Sequence, residues 1–532
     1  MMTSSSSVES TYTHTLPDST YLPYIMSQPF DELSQLLQFP VDQLRLVFCF
    51  VLALPLGQIH KNLPTTTSKH IYSIICGICY TYLVCGYSSI HLLLCSTACY
   101  ITIRVYPQQP IISTIIGMLY LSISHIYRLY VDYLGWSLDY TMCLMVLIVK
   151  TSTLAYNVSD GIQLRKIHGT DKKLHKRNDL HEFRVSHSIP YIPSPLQFYS
   201  YIYYYAGVLV GPAFEFREYI EYTDMTMFYK DGLNTVPSTI IPSLNCVCRA
   251  LLCYIGIYLS TIFPVMGYIN TVQYTSKSNT FLYKAMYMFV SVTVVRFKYY
   301  FAWLMAEAGT ISTGLAYNGI NKSNHQIQWN RVSNVHIIAV ETATNFSIIT
   351  NNWNLGTNNW LKHYIYFRVS NNKSIANLVT KLVSAFWHGF YSGYYLMFGT
   401  AWLINEADTI IQTVLSKYFY SISPHHKHHK LYYSTAHQYI WISLTWLWSQ
   451  CALNYIASAF VLLRARWGIA AWGSIYYSMH IVAITIIILG KFIQLSQNKP
   501  DGRKQISTVG KDNSSEVVPQ QEHKYELRSK QN

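Results

Sequence analysis

The sequence predicts an all-α, polytopic membrane protein, a helical bundle crossing a bilayer about ten or eleven times. Three observations carry that expectation. The chain is 51% hydrophobic and only 12% charged over 532 residues, half of the roughly 25% charge of an ordinary soluble domain. Apolar runs recur along most of its length. Lys and Arg, which give a net charge of +14, fall mainly between those runs. They form no continuous basic face, which argues against nucleic acid as a partner.

Residues 1–40 are polar and Ser/Thr-rich, without the charged-then-apolar order of a cleaved signal peptide, and are expected to be disordered. The membrane domain is expected over 41–491, with its first span as the insertion signal. Apolar runs fall near 44–59, 71–86, 88–103, 110–127, 139–156, 201–214, 247–268, 281–306, 374–404, 438–463 and 469–490. Several are shorter than the ~20 residues of an upright helix, so tilted or re-entrant spans are expected. The basic cluster from Arg165 to Arg184 and the charged tail 492–532 are expected in the cytosol by the positive-inside rule. Most of the eleven Cys lie inside apolar runs and read as small hydrophobes. The Cys76/Cys79 pair lacks neighbouring His or acidic ligands, and the tract His425-His426-Lys427-His428-His429 follows Pro424 in a loop. No metal site and no permanently bound cofactor is expected.

The most informative residue is His388, in Ser384-Ala385-Phe386-Trp387-His388-Gly389, an ionisable group within an apolar run. A titratable side chain at membrane depth is costly and points to function; the alternative is a hydrogen-bonded structural histidine. Gly389 and Gly393 form a GxxxG pair that admits a close neighbouring backbone. Ser384, Ala385 and Ser392 stand one turn from His388, with Tyr395 beyond, giving a small, polar stripe suited to a chamber wall.

The segment before it places Trp353, Trp360, Leu361, Tyr364 and Ile365 near one helical face, with Lys362 and Arg368 off it, as in an amphipathic helix at the water–lipid interface. Asn354 stands at its start and has two readings, a helix cap or an amide that orients an acceptor or donates to a developing oxyanion. A neutral imidazole can take a proton from a hydroxyl as that hydroxyl attacks an activated carbonyl such as a thioester. Gly211-Pro212 interrupts another run. It reads equally as a helix break and as the lining of a cavity.

With these residues in view, the chain resembles the membrane-bound O-acyltransferase (MBOAT) family, in its lysophospholipid acyltransferase branch. The resemblance rests on Asn354 after Trp353, on Trp387-His388-Gly389, and on their separation of 34 residues. It extends to His125 through Asp132-Tyr133, Asp139, Ser159-Asp160-Gly161, Tyr204 through Gly211-Pro212 to Phe216, Ser333-Asn334-Val335, Glu341 through Phe346, Asn454-Tyr455 and Ser474 through His480. It covers roughly residues 40–490. It implies a bundle around a central catalytic chamber, with His388 as general base and Asn354 as the orienting or oxyanion residue. Trp387, Gly389, Tyr394, Gly211 and Pro212 are then expected to line the substrates. Acyl-CoA is implied as a co-substrate from the cytosol and a lysophospholipid as acceptor from the bilayer. Lys362 and Arg368 are offered for coenzyme A phosphates, although both can equally snorkel to the interface.

The resemblance also implies the endoplasmic reticulum membrane, and Arg528-Ser529-Lys530-Gln531-Asn532 approximates a dibasic retrieval signal. Two further activities stay in view: acylation of a protein or neutral lipid, and lipid transport or scrambling without bond making. No internal repeat or paired intramembrane charge favours the last. Oligomerisation, head-group choice and acyl-chain choice are left open.

Overall fold

A computed structural model describes residues 22–135, 137–167, 179–416 and 435–497. Among them the architecture is helical, with two isolated β-bridges, Ile320 to Ile327 and Val335 to Trp353. Counting α-helices of six residues or more, the order is α1 Tyr24–Leu37, α2 Val41–Lys61, α3 Thr66–Cys85, α4 Ile90–Val105, α5 Pro110–Val131, α6 Tyr140–Ile167, α7 Asp179–His187, α8 Pro195–Ile202 and α9 Phe216–Thr223. It continues with α10 Ile240–Ile262, α11 Phe281–Thr313, α12 Leu355–Trp360, α13 Lys373–His388, α14 Ser392–Ile410, α15 Thr435–Leu462, α16 Ala465–Ser474 and α17 Ser478–Gln497. Local chemistry sets several starts. Thr65 and Ser68 form a reciprocal capping box before α3, as do Ser194 and Gln197 before α8, and Pro110 opens α5 where its missing N–H costs nothing.

By length and composition six helical segments can cross a membrane: Val41–Lys61, Thr66–Val105, Pro110–Val131, Tyr140–Lys166, Ile240–Ile269 and Ser478–Ser496. Their burial differs sharply. In α6, 78% of the apolar window is inside the protein, against 11% in α17, so α6 is a central post and α17 a flank. On α10, Leu244, Leu251, Leu252 and Ile255 stand exposed, an apolar wall that suits a lipid surround.

Four expectations change. The run 201–214 is no span: α8 ends at Ile202, and the following residues turn irregularly with Tyr203, Tyr204, Tyr205, Val208 and Leu209 all buried. Irregular backbone survives at such depth because protein satisfies it; Lys150 of α6 donates to the carbonyls of Tyr201 and Ile202 and lies 4.5 Å and 4.7 Å from the Tyr201 and Phe214 ring centres. The run 374–404 is two helices, broken after His388 where Gly389 adopts φ +115°. The break carries Ser392 and Tyr395 onto α14, so the expected polar stripe does not continue past His388. The run 469–490 likewise divides into α16 and α17, with Tyr476 and Tyr477 at positive φ. Finally, α1 forms within the segment expected to be disordered. The His425–His429 tract, most of the basic loop and the C-terminal tail from 498 lie outside the described residues.

Candidate active site

The site is assembled on α6. Ser152, Asn157 and Asp160 share one side of that helix, and each holds a residue from the segment 355–368. Trp360 Nε1 donates to Ser152 Oγ at 2.9 Å, Tyr364 Oη to Asn157 Oδ1 at 2.8 Å, and the Arg368 guanidinium forks onto both Asp160 oxygens at 3.1 and 2.7 Å. The partners are separated by 208, 207 and 208 residues, so the two stretches run parallel in fixed register. Glu215 joins the ladder, accepting from Asn157 Nδ2 at 2.7 Å and lying 3.0 Å from Tyr364 Oη. Trp360 and Tyr364 are therefore buried at 1% exposure and face protein. The amphipathic stripe was legible; its expected partner, the lipid interface, is replaced by α6. Beyond Trp360 the helix widens into a π-turn, Leu361–Tyr366.

Further along α6, Trp387 Nε1 donates to the Met145 carbonyl at 3.0 Å, and the Trp360 and Trp387 rings lie 6.0 Å apart. The α5–α6 corner fixes the other side of Trp387. His125 Nε2 is 3.2 Å from the Trp387 carbonyl, and Arg128 pairs with Asp139 at the start of α6 while donating to the carbonyls of Gly135 and Ser137. Gly389 is needed twice over, for its positive φ and because a Cβ there would stand 3.1 Å from the His125 ring. Gly393 meets a different neighbour, its N–H donating to the Leu463 carbonyl at 2.6 Å. Both glycines serve packing.

His388 ends α13 with its ring among Trp387, Tyr394, Phe398 and Phe460, at centroid distances of 4.8, 5.7, 5.8 and 5.0 Å. The ring is half-buried. No hydrogen bond engages either nitrogen among the described residues, and neither is among the sealed, unpartnered polar atoms. The reading of His388 as a hydrogen-bonded structural histidine therefore has no support in this geometry.

Asn354 occupies the N-cap position of α12 at φ 48°, yet its side chain makes no capping bond. Its Oδ1 instead accepts from Asn334 Nδ2 at 3.3 Å. Trp353 before it is wedged against Tyr299, Tyr300 and Trp303. Tyr300 is in turn bonded to Glu341, which forms a forked ion pair with Arg296, and Arg296 also donates to Asn454. In the sequence, Ser333-Asn334-Val335, Glu341 and Asn454 stand out only as points of resemblance, and Asn334 has no role of its own. Nothing local marks that residue.

Gly211 and Pro212 are buried, and the adjoining Ala213 carbonyl lies 3.2 Å from where a Gly356 Cβ would stand. The Gly–Pro corner thus abuts the start of α12, and a cavity opens there, lined by Val149, Thr153, Phe214, Glu215, Gly356 and Trp360. Gly211 and Pro212 themselves lie in the irregular segment after α8 and are not among the residues that line this cavity. Lys362 is exposed, its Nζ 6.0 Å from the Phe367 ring centre. Arg368, by contrast, is spent on Asp160 at 11% side-chain exposure.

A helical membrane protein with an uncommitted interior imidazole and, on another segment, a side-chain amide held by a buried asparagine is the class these features define. Residues 133–458 match the model of the membrane-bound O-acyltransferase family, and the chain belongs to that family. It is 28% identical to lysophospholipid acyltransferase 6 of Drosophila melanogaster, over 93% of this chain and 68% of that protein. Lysophospholipid acyltransferase 1 of Arabidopsis thaliana is also 28% identical, over 87% of this chain and 97% of its own length. Human membrane-bound glycerophospholipid O-acyltransferase 1 is 29% identical over 86% and 90%. The matched region contains both Asn354 and His388.

Proposed function

We propose that the protein is a lysophospholipid acyltransferase. It moves a fatty acyl group from acyl-CoA to the free hydroxyl of a lysophospholipid, giving a diacyl phospholipid and coenzyme A. His388 accepts the hydroxyl proton as that oxygen attacks the thioester carbon. Asn354 stabilises the charge that develops on the carbonyl oxygen. The C–S bond then breaks, and the imidazolium returns its proton to the departing thiolate. Both substrates are held with water excluded, which lowers the remaining barrier. One observation carries this reading: the His388 ring is held by aromatic packing alone, with its nitrogens unspent.

Acyl-CoA is the proposed donor. Lys362, exposed and with no acidic partner among the described residues, is available to a coenzyme A phosphate, whereas Arg368 secures the segment to α6. The proposed location is the endoplasmic reticulum membrane, checked by co-localising a tagged full-length chain with a resident marker. The activity is tested with purified protein in detergent, radiolabelled acyl-CoA and a panel of lysolipids. Transfer to a lysolipid that His388→Ala abolishes supports the proposal. Transfer only to a peptide, sterol or diacylglycerol moves the protein to another acceptor, and intact acyl-CoA with lipid flux in proteoliposomes replaces acyl transfer by transport.

A further inference from the structure

We infer that Asn334 sets which way the Asn354 carboxamide points, and so commits Asn354 to donating a hydrogen bond at the substrate. The inference rests on Asn354 acting in the transfer and adds the direction of its bond and the residue that imposes it.

Three contacts fix that direction. A backbone N–H can only donate, and that of Gly356 donates to Asn334 Oδ1 at 2.9 Å. This fixes the Asn334 amide, whose oxygen and nitrogen could otherwise be exchanged. Its remaining group, Nδ2, can only donate, and it faces Asn354 at 3.3 Å. The Asn354 atom that meets it must therefore be the acceptor, Oδ1. The Asn354 Nδ2 is left with no partner among the described residues and is not sealed. It points an N–H pair at the carbonyl oxygen of a thioester, where negative charge develops, and not at the proton of the attacking hydroxyl, for which it has no lone pair.

The clamp is built to hold. Asn334 is 5% exposed, and its own carbonyl accepts the Leu355 N–H at 2.9 Å. The next residue, Val335, bridges to Trp353, and the His336 N–H donates to the Asn352 carbonyl at 3.0 Å. The strand-like stretch from Asn334 to His336 thus grips both flanks of Asn354. Asn334 itself is a positioning residue; nothing places it against substrate.

Asn334→Asp is the discriminating variant in the full-length protein. An ionised aspartate, assayed at alkaline pH, still accepts from Gly356 but has no donor to offer, so the Asn354 amide turns to donate to it and presents its carbonyl to the substrate. kcat is expected to fall about 100-fold, the scale of one lost oxyanion donor, with KM for both substrates within about threefold. The double variant Asn334→Asp/Asn354→Ala is expected to be no slower than Asn354→Ala alone, because the first change acts through the second residue. Asn334→Ala, which frees the amide to take either orientation, is expected to fall between wild type and Asn334→Asp and serves if the aspartate variant fails to fold. Full kcat in Asn334→Asp or Asn334→Ala, or a double variant slowed by the product of the two single effects, overturns this inference alone. An unchanged rate in Asn354→Ala removes the Asn354 role and this inference with it.

Discussion

The α6 ladder and the His388 corner stand at neighbouring levels of the same bundle and treat their polar groups in opposite ways. Along α6, Ser152, Asn157 and Asp160 are each spent on a partner, and even the Lys150 ammonium is answered by two carbonyls and two ring faces. At the corner, the His388 ring nitrogens and the Asn354 Nδ2 have no hydrogen-bond partner among the described residues. A desolvated polar group that is fully bonded holds a structure together, whereas an unsealed one with no protein partner is free to bond a substrate. The same division runs through the histidines. His60 is fully buried, bonded to Tyr222 at 2.7 Å and to Ser73 at 2.9 Å, with the Lys69 carbonyl at 3.1 Å, and His480 and His125 are also bonded.

Exchanging alanine for one histidine of each kind tests this contrast with the largest expected effect. His388→Ala is expected to lower turnover by about 10³-fold or more while leaving thermal unfolding near that of wild type, because the ring makes no hydrogen bond. His60→Ala is expected to reverse the pattern, losing about 3 kcal/mol of stability from a cavity and stranded hydroxyls, with the rate per folded molecule largely kept. A large loss of stability in His388→Ala, measured by unfolding in detergent, breaks the comparison.

Asp160→Ala tests the ladder. It leaves the Arg368 guanidinium uncompensated in a pocket where the two side chains are 6% and 11% exposed. Removing one member of such a pair costs about 3–5 kcal/mol, and proteolysis is expected to open the 355–368 segment first. Arg184 lies 3.9 Å from the same carboxylate, so the substitution strands a second cation and leaves two guanidinium groups with no negative charge between them. If protease sensitivity is unchanged, the register with α6 is not what holds Asn354 in place.

The long spans were legible because their cause is local. In α2 to α6 and α10, apolar length alone dictates a helix in lipid, and backbone satisfaction leaves no alternative. Asn354 and His388 were legible as motifs in sequence, although their roles remain proposals. What could not be read shares one physical character. The run 201–214 is as apolar as a span, and only its contact with Lys150, some fifty residues away, shows that protein and not lipid receives it. The wheel through Trp360 and Tyr364 gives the same stripe whether it faces hydrocarbon or α6, because its partners are over 200 residues distant. Asn334 is unreadable for the same reason: a buried asparagine acquires a role only from what stands opposite it.

The smallest expected effect separates the two cations of the segment. Lys362 is exposed, while Arg368 is locked to Asp160, so the ladder makes one available to a phosphate and denies the other. Lys362→Ala is expected to raise KM for acyl-CoA about two- to threefold at low salt, with kcat unchanged. That difference should fade as ionic strength rises, since an exposed charge is screened beyond about 8–10 Å. Arg368→Lys should instead lower the unfolding temperature, because an ammonium cannot reproduce the fork, and leave KM for acyl-CoA unmoved. If Arg368→Lys shifts that KM and Lys362→Ala does not, the phosphate lies on the ladder side, and the division between bonded scaffold and free site must be redrawn through Asp160.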